Sequence, residues 1–300
     1  MANPALVSTP RVHAQLLLAR SLVATSFIVG AMITHGLAPE RLTLVRFAVA
    51  TLLFAPYVVW RHGWALPSAR QVAGYAAISA SLVVFFWSMF EALRLTSSLN
   101  AAALFTMMPC ISAVYAAVLV RERLGGLRLT ALVLGAVGAL WIIFRGDPQL
   151  LLGLAFNKGD LIFLGGVYAM ALYTPLVRRF SRNEPAAVMS FWVLATGTGW
   201  LLLLNNRAVF ETDWTGVEMN VYAGIVYLAV FPTILSFFIM QHATLRLGPT
   251  RVMSYSYLTP ALVVAIEWAL GRGLPDPILL PGVAIIVAAM FVIQAGVKKE

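Results

Sequence analysis

Long apolar runs recur along this chain with little between them. They occupy about 14–34, 42–60, 72–94, 99–119, 127–145, 158–180, 186–205, 219–242, 249–270 and 278–297. Each is close to the roughly 20 residues a helix needs to cross a bilayer. Strands of a membrane barrel would alternate over about 10 residues, and these runs do not. Backbone groups in hydrocarbon must be satisfied within their own segment, so only helices fit. The breaks carry loop chemistry: Gly36 with Pro39, Pro67 with Ser68, Gly125-Gly126, Asp147-Pro148, Pro185, and Pro275 with Pro277. The sequence therefore predicts an all-α integral membrane protein of ten transmembrane helices.

Composition agrees. The chain is 61% hydrophobic and 11% charged, against about 25% charged in a soluble domain. The net charge of +9 comes from basic residues scattered between apolar runs and forms no single patch. Such residues gather in cytoplasmic loops of membrane proteins, so no nucleic-acid partner is inferred. With the N-terminus in the cytoplasm, the inner side collects Arg61, Arg70, Arg121, Arg123, Arg128, Arg178, Arg179 and Arg182, among others, and Arg20 sits slightly inside the first span. The outer side holds Arg41, Arg94, Arg145, Lys158, Arg207 and Arg272. This bias predicts a multi-pass protein of the plasma membrane with both termini inside. The first run, though interrupted by Arg20, extends to about Thr34, which reads as a retained span and not as a cleaved leader.

The chain also repeats itself. FFWSMFEALRLTSS at 85–98 lies over FFIMQHATLRLGPT at 237–250, and Pro109 meets Pro260 after one dropped residue. Two units of five helices follow. Five is odd, so the second unit enters the membrane upside down, an inverted repeat with its pseudo-two-fold axis in the membrane plane. Two such units that exchange shapes open a site first to one side and then to the other, which is a design for carrying a solute.

The stretches EALRLTSSLNAAALFTMMPCISAVYAAVLVRERL and NKGDLIFLGGVYAMALYTPLVRRF resemble the drug/metabolite transporter superfamily, specifically its EamA-type exporters. The resemblance covers two EamA units, about 19–144 and 159–293. Its pattern is AL-x-x-T-S, a mid-helix proline and a loop Glu, here Glu122; the second unit departs, with Gly271-Arg272 where the family shows Gly-Glu. The resemblance implies gradient-driven export of small metabolites, commonly amino acids. Drugs or organic cations, nucleobases and sugars are the alternatives within transport, and a sensory or structural membrane protein is the alternative outside it.

Candidate site residues come from three observations. Pro109 and Pro260 each remove a backbone donor and free the carbonyl four residues back, that of Phe105 or Ser256. Paired by the repeat, the two breaks are expected to line one pocket. Around them lie Trp87, Phe86, Asn100, Thr106, Met107, Met108, Tyr255, Tyr257 and Thr259, an apolar wall with a few hydrogen-bonding groups. Packing is the plain alternative for each. Three ionisable residues, Arg46, Glu91 and Glu267, fall within spans and are expected about a turn from their outer ends, with Arg46 paired to a carboxylate in a gate or proton-coupling site. Snorkelling to the interface is the alternative.

Asp160 reads as a helix-start residue satisfying free amides, and His242 as a structural histidine. Ser26-Gly30-Thr34 and Ala131-Gly135-Ala139 read as packing stripes within the chain. The lone Cys110 lies in an apolar run; no cofactor, metal site or catalytic constellation is found, so no enzyme is inferred. Small-molecule substrate, lipid bilayer and protons are the partners considered, with monomer and homodimer both open.

Overall fold

The computed structural model describes residues 9–64, 66–119, 125–152, 156–182, 184–236, 238–240, 243, 252 and 254–296, and among these every regular element is helical. The first half comprises α1 (Thr9–Ile33), α2 (Pro39–His62), α3 (Ala69–Ala92), α4 (Ser98–Phe105), α5 (Met108–Leu119) and α6 (Gly126–Ile143). A short α7 (Pro148–Leu152) leads to α8 (Lys158–Ala171), α9 (Tyr173–Phe180), α10 (Ala186–Leu204), α11 (Asn206–Glu211) and α12 (Met219–Leu228). A π-helical segment (Ala229–Leu235) continues α12, and a 3-10 turn (Tyr255–Leu258) precedes α13 (Thr259–Ala269); α14 (Leu280–Gly296) closes the chain.

Among the described residues seven helical stretches are long and apolar enough to cross a membrane: Arg11–Ile33, Pro39–His62, Ala69–Ala92, Ser98–Tyr115, Lys158–Val177, Ala186–Leu204 and Met219–Met240. Two shorter apolar helices, Leu129–Ile143 and Pro277–Val292, accompany them. Among the described residues four expected spans are not single α-helices, the ninth because the 3-10 turn Tyr255–Leu258 precedes its α-helix. The fourth breaks at Thr106-Met107, the sixth at Leu172, and the eighth passes through the π segment around Pro232. Glu122, His242 and Arg246 lie outside the described residues.

Local chemistry sets the helix starts. Ser68 and Gln71 form a capping box on α3, and Ser97 accepts from the Asn100 amide at the start of α4. At α8 the cap is Asn157, whose side chain accepts from the Asp160 amide at 2.8 Å, and not Asp160 as the sequence led us to expect. Asp160 is buried and accepts from the Thr96 hydroxyl at 2.7 Å, which fastens α8 to the α3–α4 corner.

Small residues let helices from the two halves close on one another. A Cβ at Gly138 would stand 2.7 Å from the Gly282 carbonyl oxygen, so α6 and α14 meet backbone to backbone. A Cβ at Gly166 would meet Ser88, which places α8 tight on α3. Both small-residue stripes face the chain's own helices: Gly30 packs on Leu93, Gly135 on Tyr257, and Thr34 donates to the Phe90 carbonyl. The largest buried cluster surrounds Phe27, Phe85, Phe90, Phe105 and Phe163, where α1, α3, α4 and α8 converge.

Candidate functional site

At the edge of this aromatic cluster lies a cavity of about 120 Å³, walled by both halves. The first half contributes Arg20, Val23, Ser26 and Phe27 from α1, Arg46 from α2, Leu82, Phe85, Phe86 and Met89 from α3, and Phe105 and Met108 from the broken fourth span. The second contributes Met170, Tyr173, Pro232, Ser236 and Met240. The break at Thr106-Met107 turns Phe105 and Met108 into the space; Pro109 stands in the first turn of α5, where its missing donor costs nothing.

Two arginines dominate the wall. Arg20 is 2% exposed and Arg46 is 1% exposed. Arg20 lies near the middle of α1, deeper than its sequence position implied. Arg46 lies about two turns inside α2, roughly 10 Å from its end, and not one turn as expected. The Arg46 guanidinium sits 4.2 Å from the centroid of the Phe86 ring, a cation–π contact. Its Nε and Nη2 donate to Thr233 Oγ1 at 3.2 and 3.0 Å.

That acceptor directly follows Pro232 in the π-helical segment. The proline supplies no amide hydrogen to the Leu228 carbonyl four residues back. The Thr233 hydroxyl donates there instead, at 2.8 Å, and its lone pairs remain for Arg46. Arg20 Nη2 donates to the Val252 carbonyl at 3.1 Å. Arg20 Nε and Arg46 Nη1 are buried with no hydrogen-bond partner among the described residues. Among the described residues no carboxylate lines the cavity.

The expected gate pairs do not form. Glu91 stands 4.0 Å from Arg94 and Glu267 stands 3.8 Å from Arg272, each at the C-terminal end of its helix and partly exposed. Arg94 is held by donating to the Thr34 and Leu37 carbonyls. Arg46 therefore meets neither carboxylate, because it lies deeper in the membrane than they do and is engaged by Thr233 and Phe86.

Nor do the two proline breaks share one pocket. Met108 reaches the cavity, but Tyr255, Tyr257, Thr259 and Pro260 are buried elsewhere. Tyr257 fills the space left by Gly135, and Tyr255 hydrogen-bonds His13 on α1. The second-half break that lines the cavity is the one at Pro232. Thr106 is buried with its hydroxyl donated to the Ala103 carbonyl at 2.6 Å. Trp87 is 40% exposed on the far face of α3, and Asn100 sits half-buried in the first turn of α4.

Sequence reasoning missed Arg20 as a lining residue, along with Phe27, Tyr173 and Pro232. Two signals were present. Arg20 interrupts the first apolar run, and Pro232 interrupts the eighth.

Apolar helices of spanning length, packed around a cavity lined by two buried arginines, define a multi-pass membrane transporter. The model of the EamA-like transporter family matches residues 12–144 and again 157–295. The chain belongs to that family. Among its relatives, it is 29% identical over 266 residues to a probable terminal-alkyne amino-acid exporter of Streptantibioticus cattleyicolor, covering 86% of this chain and 83% of that one. It is 23% identical over 276 residues to a riboflavin transporter of Vibrio cholerae, covering 90% and 88%. A crystal structure 20% identical in sequence superposes with a TM-score of 0.68 over 96% of this chain and 98% of that one, and so shares the fold.

Proposed function

We propose that the chain is a secondary transporter that exports small metabolites, amino acids first among them, across the plasma membrane. It does so by alternating access between two five-helix units of opposite orientation, residues 19–144 and 159–293, with ten spans in all and both termini in the cytoplasm. The observation that carries this reading is the cavity walled by both halves.

The helix pairing supports the two-fold relation. Second span packs on second (α2 on α10), fourth on fourth (α4 on α13) and fifth on fifth (α6 on α14). The third span of the first half packs on the first of the second (α3 on α8), and α1 packs reciprocally on α12 and the π segment. Reciprocity of this kind is what a pseudo-two-fold axis in the membrane plane requires. Rocking one unit against the other about the cavity then changes the side to which it opens.

The amino-acid class is supported by the exporter among the relatives, while the riboflavin transporter keeps other small metabolites, nucleobases and sugars in view. Organic cations fit poorly beside Arg20 and Arg46. Glu91 and Glu267, paired with arginines at helix ends, are candidates for proton coupling, and their carboxylates are far enough toward water to exchange protons.

The test is efflux from liposomes holding the purified protein and a panel of labelled amino acids, with and without a pH gradient. Release of a subset above that from empty liposomes is expected. Release of none refutes the amino-acid assignment.

A further inference from the structure

The strongest unexplained feature of the molecule is a pair of buried cations, Arg20 and Arg46, with no counter-ion among the described residues. A buried ion costs several kcal/mol unless it is compensated, and arginine, unlike lysine, does not escape by losing its proton. Here the compensation is partial and made only of neutral groups. Arg46 has a hydroxyl and an aromatic face; Arg20 has one backbone carbonyl. Each retains a buried N–H without a partner among the described residues, and each lines the same cavity. Intramembrane charges placed this way mark substrate paths.

We propose that this cavity recognises the carboxylate of a small apolar acid through the guanidinium groups of Arg20 and Arg46. Phe85, Phe86 and Phe105 hold its ring or branched alkyl body. The proposal rests on the transporter reading of the cavity and narrows its substrate class. Guanidinium presents a planar fork that matches a carboxylate, so the free N–H groups gain an acceptor when the solute binds. The rest of the wall is aromatic and aliphatic, and a cavity near 150 Å³ in a protein interior accommodates a benzene ring. At about 120 Å³ this one suits a single ring or a short branched chain after modest adjustment.

A solute ammonium has no carboxylate to meet there and faces two fixed positive charges. The carboxylate is thus the required group, and an amino group on the solute is tolerated at most. A zwitterionic amino acid and its deaminated acid are both ligands; the matching amine is not.

The experiment uses the full chain in nanodiscs and three probes that share a phenyl ring: phenylacetate, phenylalanine and benzylamine. Binding is read as a ligand-dependent rise in melting temperature, titrated to an apparent Kd. Phenylacetate and phenylalanine are expected to bind and benzylamine is not. Arg46→Gln and Arg20→Gln should each weaken phenylacetate by roughly 10- to 100-fold, the usual range for a charge-assisted hydrogen bond to a buried partner. Arg46→Lys keeps a charge without the fork and should fall between. Because the empty site holds uncompensated charge, the glutamine variants should melt no lower than the parent without ligand, so a fold defect is separable from a binding defect.

Benzylamine binding as tightly as phenylacetate overturns the proposal, as does phenylacetate binding that is unaffected in both glutamine variants. If no probe binds while amino-acid efflux persists in liposomes, the carboxylate assignment fails and the transporter reading stands. If efflux is absent too, both fail.

Discussion

Gly165 and Gly166 are neighbours in α8, yet alanine at the two positions should have opposite effects. A Cβ at Gly165 meets nothing within 4 Å. Removing a helical glycine there should be neutral or stabilising by about 0.5–1 kcal/mol. A Cβ at Gly166 would overlap Ser88 Oγ, stand 2.9 Å from Ser88 Cβ and stand 3.4 Å from Phe85 Cα. Carbon atoms prefer roughly 3.5–4 Å, so α3 and α8 must separate by a few tenths of an ångström to about 1 Å, or Ser88 must turn. Turning forfeits its bond to the Phe85 carbonyl at 2.9 Å, about 1 kcal/mol, and overpacking adds about 1–3 kcal/mol. Less the alanine's helix gain, Gly166→Ala should cost about 1–3 kcal/mol net. The assay is thermal unfolding in one detergent for the parent, each single variant, and Gly166→Ala combined with Ser88→Gly. The combined variant should recover most of the loss, since the two sites touch. Equal melting temperatures for Gly165→Ala and Gly166→Ala would refute the packing argument. Because α3 supplies Phe85 and Phe86 to the cavity wall and α8 supplies Met170, Gly166→Ala should also slow transport, whereas Gly165→Ala should not.

Three further outcomes follow from the site and its surroundings. Thr233→Val removes the oxygen that holds Arg46; solute affinity should fall about tenfold, and Thr233→Ser should restore it in the same binding titration. Glu91→Gln should slow transport or flatten its pH profile; unchanged flux across roughly pH 5–8 would exclude Glu91 as the coupling group. Asp213 lies outside the membrane in the 212–218 loop, and hydrogen bonds from the Thr215 hydroxyl and the Gly216 and Thr215 amides hold its carboxyl below the usual range. A depressed carboxylate stabilises its turn above its unfolded pKa and loses that only as pH drops through the lower folded value. Asp213→Asn should therefore leave the pH profile of transport near neutrality unchanged.

The helical class and the family were legible because apolar run length and the echoed motifs are local properties of the sequence. Tertiary contact was not. The echo places Phe85-Phe86 over Phe237-Phe238, yet Phe86 lies under Arg46 at the cavity while Phe238, partly exposed, meets Tyr57 edge to face with ring centroids 5.1 Å apart. Equivalent positions in a repeat need not have equivalent environments in one conformation. The same limit misplaced Tyr255, Tyr257 and Pro260. Tyr257 packs on Gly135 and Tyr255 hydrogen-bonds His13, away from the cavity wall. Arg20 was visible as a charge in a span and was assigned to the interface, because the sequence alone does not reveal that the helix begins at Thr9 and so carries Arg20 near its middle.

The partial satisfaction of Arg46 bears on how such a site works. Had a carboxylate of the chain neutralised it, the pair would be a structural element, and a solute would have to displace it. Had nothing held it, the long side chain would be free to sample many rotamers, and ordering it on binding would oppose affinity. Thr233 and Phe86 fix the guanidinium while leaving its charge and one N–H unspent. The side chain is thus oriented before the solute arrives, and the missing counter-charge is left for the solute to supply. Thr233 donates to the Leu228 carbonyl where Pro232 interrupts the α pattern and the helix widens to a π turn. The same residue that breaks the regular helix in the second half thereby positions the charge contributed by the first, so a rocking of one half against the other would change the Arg46–Thr233 contact and the grip on the solute together.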